Sequence, residues 1–251
     1  MSRGATARLF AALDPSLEVR EELVAWARGA AAGWSSRAAG APGQQARVLD
    51  ARSLHLTLCF LGSRPVDELD ALVPALGSCA TPVGELSVGA PLWLPARRPR
   101  ALAVQIHDRD GSLARLQSRL SDALAEASDW RPERSKTGKR RFRAHITLVR
   151  ISAGKTRTHR AGEELPMFAP TPQLRFTPES IVLYRSWLEP SGATYQALAA
   201  CELTADGAGA HSWPSTLDST GTRLQRSVEP SVEMNGLEPS SQIGSEPSSQ
   251  E

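Results

Sequence analysis

Apolar and polar positions along this chain follow two periods, and the switches between them mark out the elements. Thr6–Leu13 is an apolar-rich run of strand length and predicts a buried strand. Asp14-Pro15 then predicts a helix start, with Asp14 as the cap and Pro15 in the first helical position. Val19, Leu23 and Trp26 carry the helical period to about Arg28. The Ala- and Gly-rich stretch 29–46 breaks that period and predicts a long loop. Val48–Leu49 and Leu54–Phe60 predict strands, and Leu69, Leu72, Val73 and Leu76 a second helix that Pro74 shortens or kinks. Leu86–Val88 and Ala101–Ile106 predict strands, and Leu113, Leu116, Leu120 and Leu124 a third helix. Lys136–Arg140 predicts a loop with its turn at Gly138. Phe142–Val149, Ser180–Leu188 and Tyr195–Leu203 close the series as strands.

Strands and helices therefore recur in similar order in two halves, roughly 1–90 and 91–204, which predicts an α+β fold. Beyond about Thr204 no apolar period is sustained, and Glu-Pro-Ser-Ser-Gln occurs twice, from Glu238 and from Glu246. A segment of that composition buries too little to offset its ordering entropy, so 205–251 is expected to be a disordered tail beside a domain of residues 1–204.

Composition narrows the classes. With 29 basic and 27 acidic residues among 251 and 41% hydrophobic positions, the chain can fill a core, and no apolar run reaches the ~20 residues of a membrane helix. No secretory signal is visible, and three cysteines, odd in number and far apart, suit a reducing cytoplasm better than a disulfide framework. The net charge of +2 conceals an asymmetry: residues 225–251 are acidic and the rest basic. Arg131–Arg143 holds seven Lys or Arg against Glu133 alone, and Lys155, Arg157 and Arg160 follow. Such a run is either a solvated loop or a contact for a polyanion.

One phrase bears on this choice. Leu54-His55-Leu56-Thr57-Leu58 is answered ninety residues later by Ala144-His145-Ile146-Thr147-Leu148. Alternate side chains of a strand share a face, so His55 points with Thr57 and His145 with Thr147, while the intervening apolar residues point into a core. A strand histidine standing alone is most often structural; two of only five histidines in one repeated context are not easily so read. Paired imidazoles suit in-line displacement at phosphorus, one taking a proton from water and the other giving one to the leaving oxygen. Duplicated strands about an approximate two-fold axis would set them on opposite sides of one phosphorus. A threonine hydroxyl beside each can donate to a non-bridging oxygen. Such a site needs no metal or other cofactor.

With these motifs stand the opening Arg8-Leu-Phe-Ala-Ala-Leu-Asp14, Phe60-Leu-Gly62, and Leu183-Tyr-Arg-Ser186. Together they resemble the two-histidine (2H) phosphoesterases, and among them the RNA 2′,3′-cyclic phosphodiesterases of the LigT/ThpR family, over about Arg8–Leu203. The resemblance implies two similar lobes of antiparallel sheet and helices, related by a pseudo-two-fold and enclosing a central cleft. It implies hydrolysis of an RNA 2′,3′-cyclic phosphate end to a 2′-phosphomonoester, with reversible 2′-5′ RNA ligation in some members. It further implies His55 as proton donor, His145 as proton acceptor, and Thr57, Thr147 and Arg150 as substrate-binding residues. From the residues alone the two histidines are interchangeable. Arg150 falls on the face opposite His145 by alternation, so its role requires a bulge or a strand end. The chain departs from the family in the length of 29–46, in Arg143-Ala144 where Arg-Pro is commoner, and in the tail. The expected protein is a cytoplasmic monomer with RNA as its partner and no membrane or obligate protein partner.

Two rival readings are a 2H enzyme for a small cyclic nucleotide, a cyclic ADP-ribose phosphate or a 2′-5′ oligonucleotide, and a module that binds RNA ends without turnover. Weaker signals are set aside. Gly154-Lys155-Thr156 lacks the leading glycine of a phosphate loop, and His107-Asp108 reads as a turn and helix cap. Cys59 shares the His55 face by alternation and reads as a small filler. Trp34, in the long loop, is the one tryptophan placed to stack a base.

Overall fold

A computed structural model describes residues 5–37, 46–96, 99–132, 134–135, 138–139, 142–151, 169–189, 192–204 and 210–211. These fall within one compact unit, 1–215. The rest of the tail, residues 133, 136–137 and 140–141 of the Arg131–Arg143 run, and Lys155, Arg157 and Arg160 lie outside the described residues.

The strands are β1 (Thr6–Leu13), β2 (Ala46–Val48), β3 (Leu56–Pro65), β4 (Leu86–Leu94), β5 (Ala101–Asp108), β6 (Arg134–Ser135), β7 (Gly138–Lys139), β8 (His145–Ile151), β9 (Arg175–Phe176), β10 (Ser180–Glu189), β11 (Gly192–Glu202) and β12 (Ala210–His211). The helices are α1 (Leu17–Arg37), α2 (Leu69–Ser78) and α3 (Ser112–Ala127). Ten strands form one antiparallel sheet in the order β12-β11-β10-β1-β3-β8-β5-β4-β9, with β2 also paired to β8.

An internal repeat organises it: β1-α1-β3 is matched by β5-α3-β8, a strand, a helix, and the strand that begins at a histidine motif. The flanking strands do not follow chain order. β10 and β11, from near the end, extend the β1–β3 side, while β4 and β9 extend the β5–β8 side. Each side of the sheet thus draws on both halves of the chain.

Helix packing explains the apolar periods. On α3, Leu113, Leu116, Leu120 and Leu124 are all buried, and the helix lies on β3 and β5 and against α2. Its first turn is capped by two carboxylates: Asp108 accepts the Leu113 and Ala114 N–H groups and Asp110 that of Ser112, so Asp108 does serve as a cap. α1 lies against β2 and β8, burying Val19, Leu23, Val24 and Ala27. Pro74 stands inside α2, a helix of only 10 residues.

Three local expectations change. α1 starts at Leu17, not at Pro15, because Ser16 is the cap: its hydroxyl accepts the Val19 N–H and its carbonyl the Arg20 N–H. α1 also continues to Arg37, into the stretch expected to be a loop, since its alanines favour helix enough to carry two glycines; Trp34 lies in this helix. Gly138 sits in an arm of the β6–β7 hairpin and not at its turn.

Candidate active site

The sheet's two motif strands meet at one register pair, Leu56 opposite Ile146, both fully buried. In an antiparallel pair, one step to either side of that point sets His55 against Thr147 and Thr57 against His145. Leu56 and Ile146 face the helices, so these four polar residues share the other face, around an approximate two-fold that passes through the Leu56–Ile146 pair. Beyond it the strands part. All four line one cavity of about 430 Å³, together with Arg150, Arg100 and Tyr195.

A pair of bulges completes the face. Ala103 stands opposite Thr147 but Leu102 opposite Val149, so Leu148 is an extra residue in β8. Alternation restarts beyond it: Val149 turns into the core and Arg150, opposite Ala101, returns to the face of Thr147. The bulge that Arg150 required is therefore present. The first motif has the same device. Ala12 pairs with Thr57 and Ala11 with Cys59, leaving Leu58 over. Consequently Cys59 does not share the face of His55 and Thr57, as simple alternation predicts. It lies in the core 3.9 Å from the Gln117 amide of α3, and burial pushes its thiol up to about 12. Phe60 takes the cleft-side position equivalent to Arg150, 47% exposed, with the Arg8 guanidinium 4.8 Å from its ring centre.

Each histidine is oriented by its own backbone. His55 Nδ1 lies 2.9 Å from the Ser53 carbonyl, and His145 Nδ1 lies 2.7 Å from the Arg143 carbonyl. A carbonyl only accepts, so Nδ1 carries the hydrogen in both rings and Nε2 is left for chemistry. Ser53 is held in a 3-10 turn, Ala51–Ser53, which the Asp50 carboxylate caps by accepting the Arg52 N–H.

The surroundings of the two rings differ. His55 packs against Phe10, with ring centres 4.7 Å apart, and meets Tyr195 edge-on at 5.1 Å. Phe10 in turn stacks on Tyr184, whose hydroxyl donates to the Asp14 carboxylate at 2.5 Å. Burial holds the Asp14 carboxyl above its usual range, so this acid completes the buried wall behind His55 and is not the helix cap that the sequence suggests. Tyr184→Phe leaves Asp14 without its donor and should cost about 1–3 kcal/mol, read by urea unfolding at pH 7.

Burial lowers His55 to about 4; the Ser53 carbonyl partly offsets this, and the Arg150, His145 and Arg20 charges reinforce it. The unfolded chain, with an ordinary imidazole near 6.5, takes up its proton first as pH falls. His55 therefore contributes stability that is full above about 6.5 and lost toward about 4. Between those pH values the unfolding free energy of the wild type should fall more steeply than that of His55→Phe. Parallel curves by denaturant titration would contradict this origin.

All five residues expected from sequence come together. Arg100 and Tyr195 were not singled out. The short basic run Arg97-Arg98-Pro99-Arg100 before β5 was a signal for the first, and nothing local marks the second. Among the described residues no three His, Cys, Asp or Glu side chains are grouped to hold a metal ion, and no helix is long and apolar enough to cross a membrane.

Comparison with known proteins agrees with this geometry. The profile of the 2′-5′ RNA ligase superfamily matches residues 25–187. The chain is 30% identical over 144 residues to the RNA 2′,3′-cyclic phosphodiesterase of Escherichia coli K12, covering 57% of this chain and 71% of that protein. A crystal structure from Thermus thermophilus aligns with a TM-score of 0.56 and 26% identity, over 78% of this chain and 97% of the other. Escherichia coli LigT complexed with 3′-AMP aligns at 0.55 and 25%, over 79% and 99%.

Proposed function

The chain belongs to the 2′-5′ RNA ligase superfamily, and from that premise we propose that it hydrolyses RNA 2′,3′-cyclic phosphate ends to 2′-phosphomonoesters. The observation that carries this reading is the crossing of the two motif strands, which gathers two histidines, two threonines and Arg150 in one cavity. The activity printed for the Escherichia coli relative supports it.

In the proposed reaction a water attacks phosphorus in line with the bond to O3′. His145 Nε2 takes the water's proton as the P–O bond forms. His55, protonated at both nitrogens, gives its Nε2 proton to O3′ as the P–O3′ bond breaks. The products are a 2′-phosphomonoester and a free 3′-hydroxyl. Thr57 and Thr147 donate to the non-bridging oxygens, and Arg150 offsets the second negative charge that develops there. A 5′-hydroxyl in place of water gives a 2′-5′ linkage by the same bond changes.

The proton on His55 needs a source of stabilisation, because burial, reinforced by the Arg150 charge, favours the neutral ring before substrate binds. An arriving phosphate supplies it by setting a negative charge between Arg150 and the imidazole. The donor is thus loaded by its own substrate. Three buried, unpaired cysteines fit a reducing compartment, and we place the protein in the cytoplasm as a monomer.

The test is incubation with a short RNA ending in 2′,3′-cyclic phosphate, with EDTA present, and separation of the products. A 2′-phosphate end is expected. A 3′-phosphate end would contradict the leaving oxygen, and an unchanged substrate the reaction itself.

A further inference from the structure

We propose that Arg100 is a binding residue for a second phosphate, the diester linkage immediately upstream of the cyclic end, so that the site selects an RNA chain over a mononucleotide. This rests on the phosphodiesterase reading and names its substrate class more narrowly.

Several arginines are spent on protein partners. Arg64 pairs with Glu68, Arg175 with Glu85, and Arg131 donates to three carbonyls at the end of α3. Arg100 and Arg150 differ from these. Both line the catalytic cavity, and neither guanidinium has a hydrogen bond or ion pair with another described residue. Among the described residues no carboxylate lines that cavity. Two guanidinium charges therefore face a ligand that must supply the compensating anions.

A cyclic phosphodiester supplies one. It has two non-bridging oxygens, which the threonine hydroxyls and Arg150 already address. Arg100 is surplus to that count and stands farther from the reaction. The charges felt at His55 are those of Arg150, His145 and Arg20. Arg150 is opposite Ala101, and Arg100 lies one residue beyond, toward the β4–β5 hairpin. Gln105 is the residue opposite His145. Five residues at about 3.3 Å each put the Arg100 backbone roughly 17 Å along the strand from there, so its side chain reaches back toward the cavity from the far end.

That placement is fixed on both sides. The Arg100 N–H donates to the Leu94 carbonyl at 2.8 Å, and its carbonyl accepts the Ile151 N–H at 2.9 Å. The cavity therefore opens toward a positive rim on one side, which suits a chain whose negative charges continue past the reacting end.

The test compares wild type, Arg100→Ala and Arg100→Lys on four probes. They are a dinucleotide ending in 2′,3′-cyclic phosphate, the same molecule with an uncharged methylphosphonate linkage, a nucleoside 2′,3′-cyclic phosphate, and that nucleoside carrying a 5′-phosphate. Removing the linkage charge should cost the wild type about tenfold in kcat/KM, chiefly through KM, and Arg100→Ala less than about threefold. Arg100→Lys should retain most of the sensitivity. A wild type indifferent to the linkage charge overturns the proposal. Equal losses for Arg100→Ala on every probe also overturn it, by assigning Arg100 to the reacting phosphate. A 5′-phosphorylated mononucleotide as good as the dinucleotide overturns the chain as the source of the second phosphate. No turnover of any probe by the wild type instead removes the phosphodiesterase reading beneath it.

Discussion

Replacing His145 or His55 with alanine should each lower kcat on an RNA cyclic-phosphate end by about 10²–10⁴-fold, the range for loss of a positioned acid or base. Far-ultraviolet circular dichroism should be unchanged, since neither side chain belongs to the fully buried core. The two variants should differ in their pH dependence. The wild-type profile should be bell-shaped, with a descending limb that belongs to the proton donor. With burial lowering His55 to about 4, that limb should lie at lower pH in kcat/KM, which reports the free enzyme, than in kcat, which reports the complex. His55→Ala should abolish the descending limb of whatever activity remains. Retention of that limb, with loss of the ascending one, would exchange the two roles.

The second large effect is expected at Arg150. Its guanidinium reaches the cavity only because Leu148 is an extra residue in β8. If it stabilises charge that develops on the non-bridging oxygens, Arg150→Ala should cost about 10²–10³-fold, mostly in kcat. Arg150→Lys should recover part of this, a point charge in place of a fork. A loss confined to KM would make Arg150 a ground-state binder. Unfolding free energy supplies the control, because this side chain is exposed and makes no hydrogen bond to a described residue.

Much of this site is legible in the sequence. The repeated His-x-Thr phrase carries its own geometry, since alternation joins each histidine to its threonine and the repeat implies a two-fold. The amphipathic stripe of α3 was equally plain. What the sequence hid are features set by distant partners. Leu58-Cys59 and Leu148-Val149 are pairs of adjacent apolar residues, and nothing local says that the first of each is the inserted one; the register of β1 and β5 decides it. Simple alternation accordingly misplaced Cys59 and left Arg150 stranded. Asp14-Pro15 imitates a helix start, but the carboxyl is claimed by Tyr184, 170 residues away. Arg100 carries no motif and gains meaning only when β5 is set beside β8.

The placement of β1 bears on how the protein is made. This first strand lies inside the sheet, with β3 on one side and β10 on the other. Its second neighbour spans Ser180–Glu189, so β1 stays half-paired until nearly all of the sheet has left the ribosome. A nascent chain cut anywhere before that strand exposes a long apolar edge with no native partner. Vectorial synthesis therefore completes the strands of the β5–β8 side first and leaves the β1–β3 side unfinished until the last strands emerge.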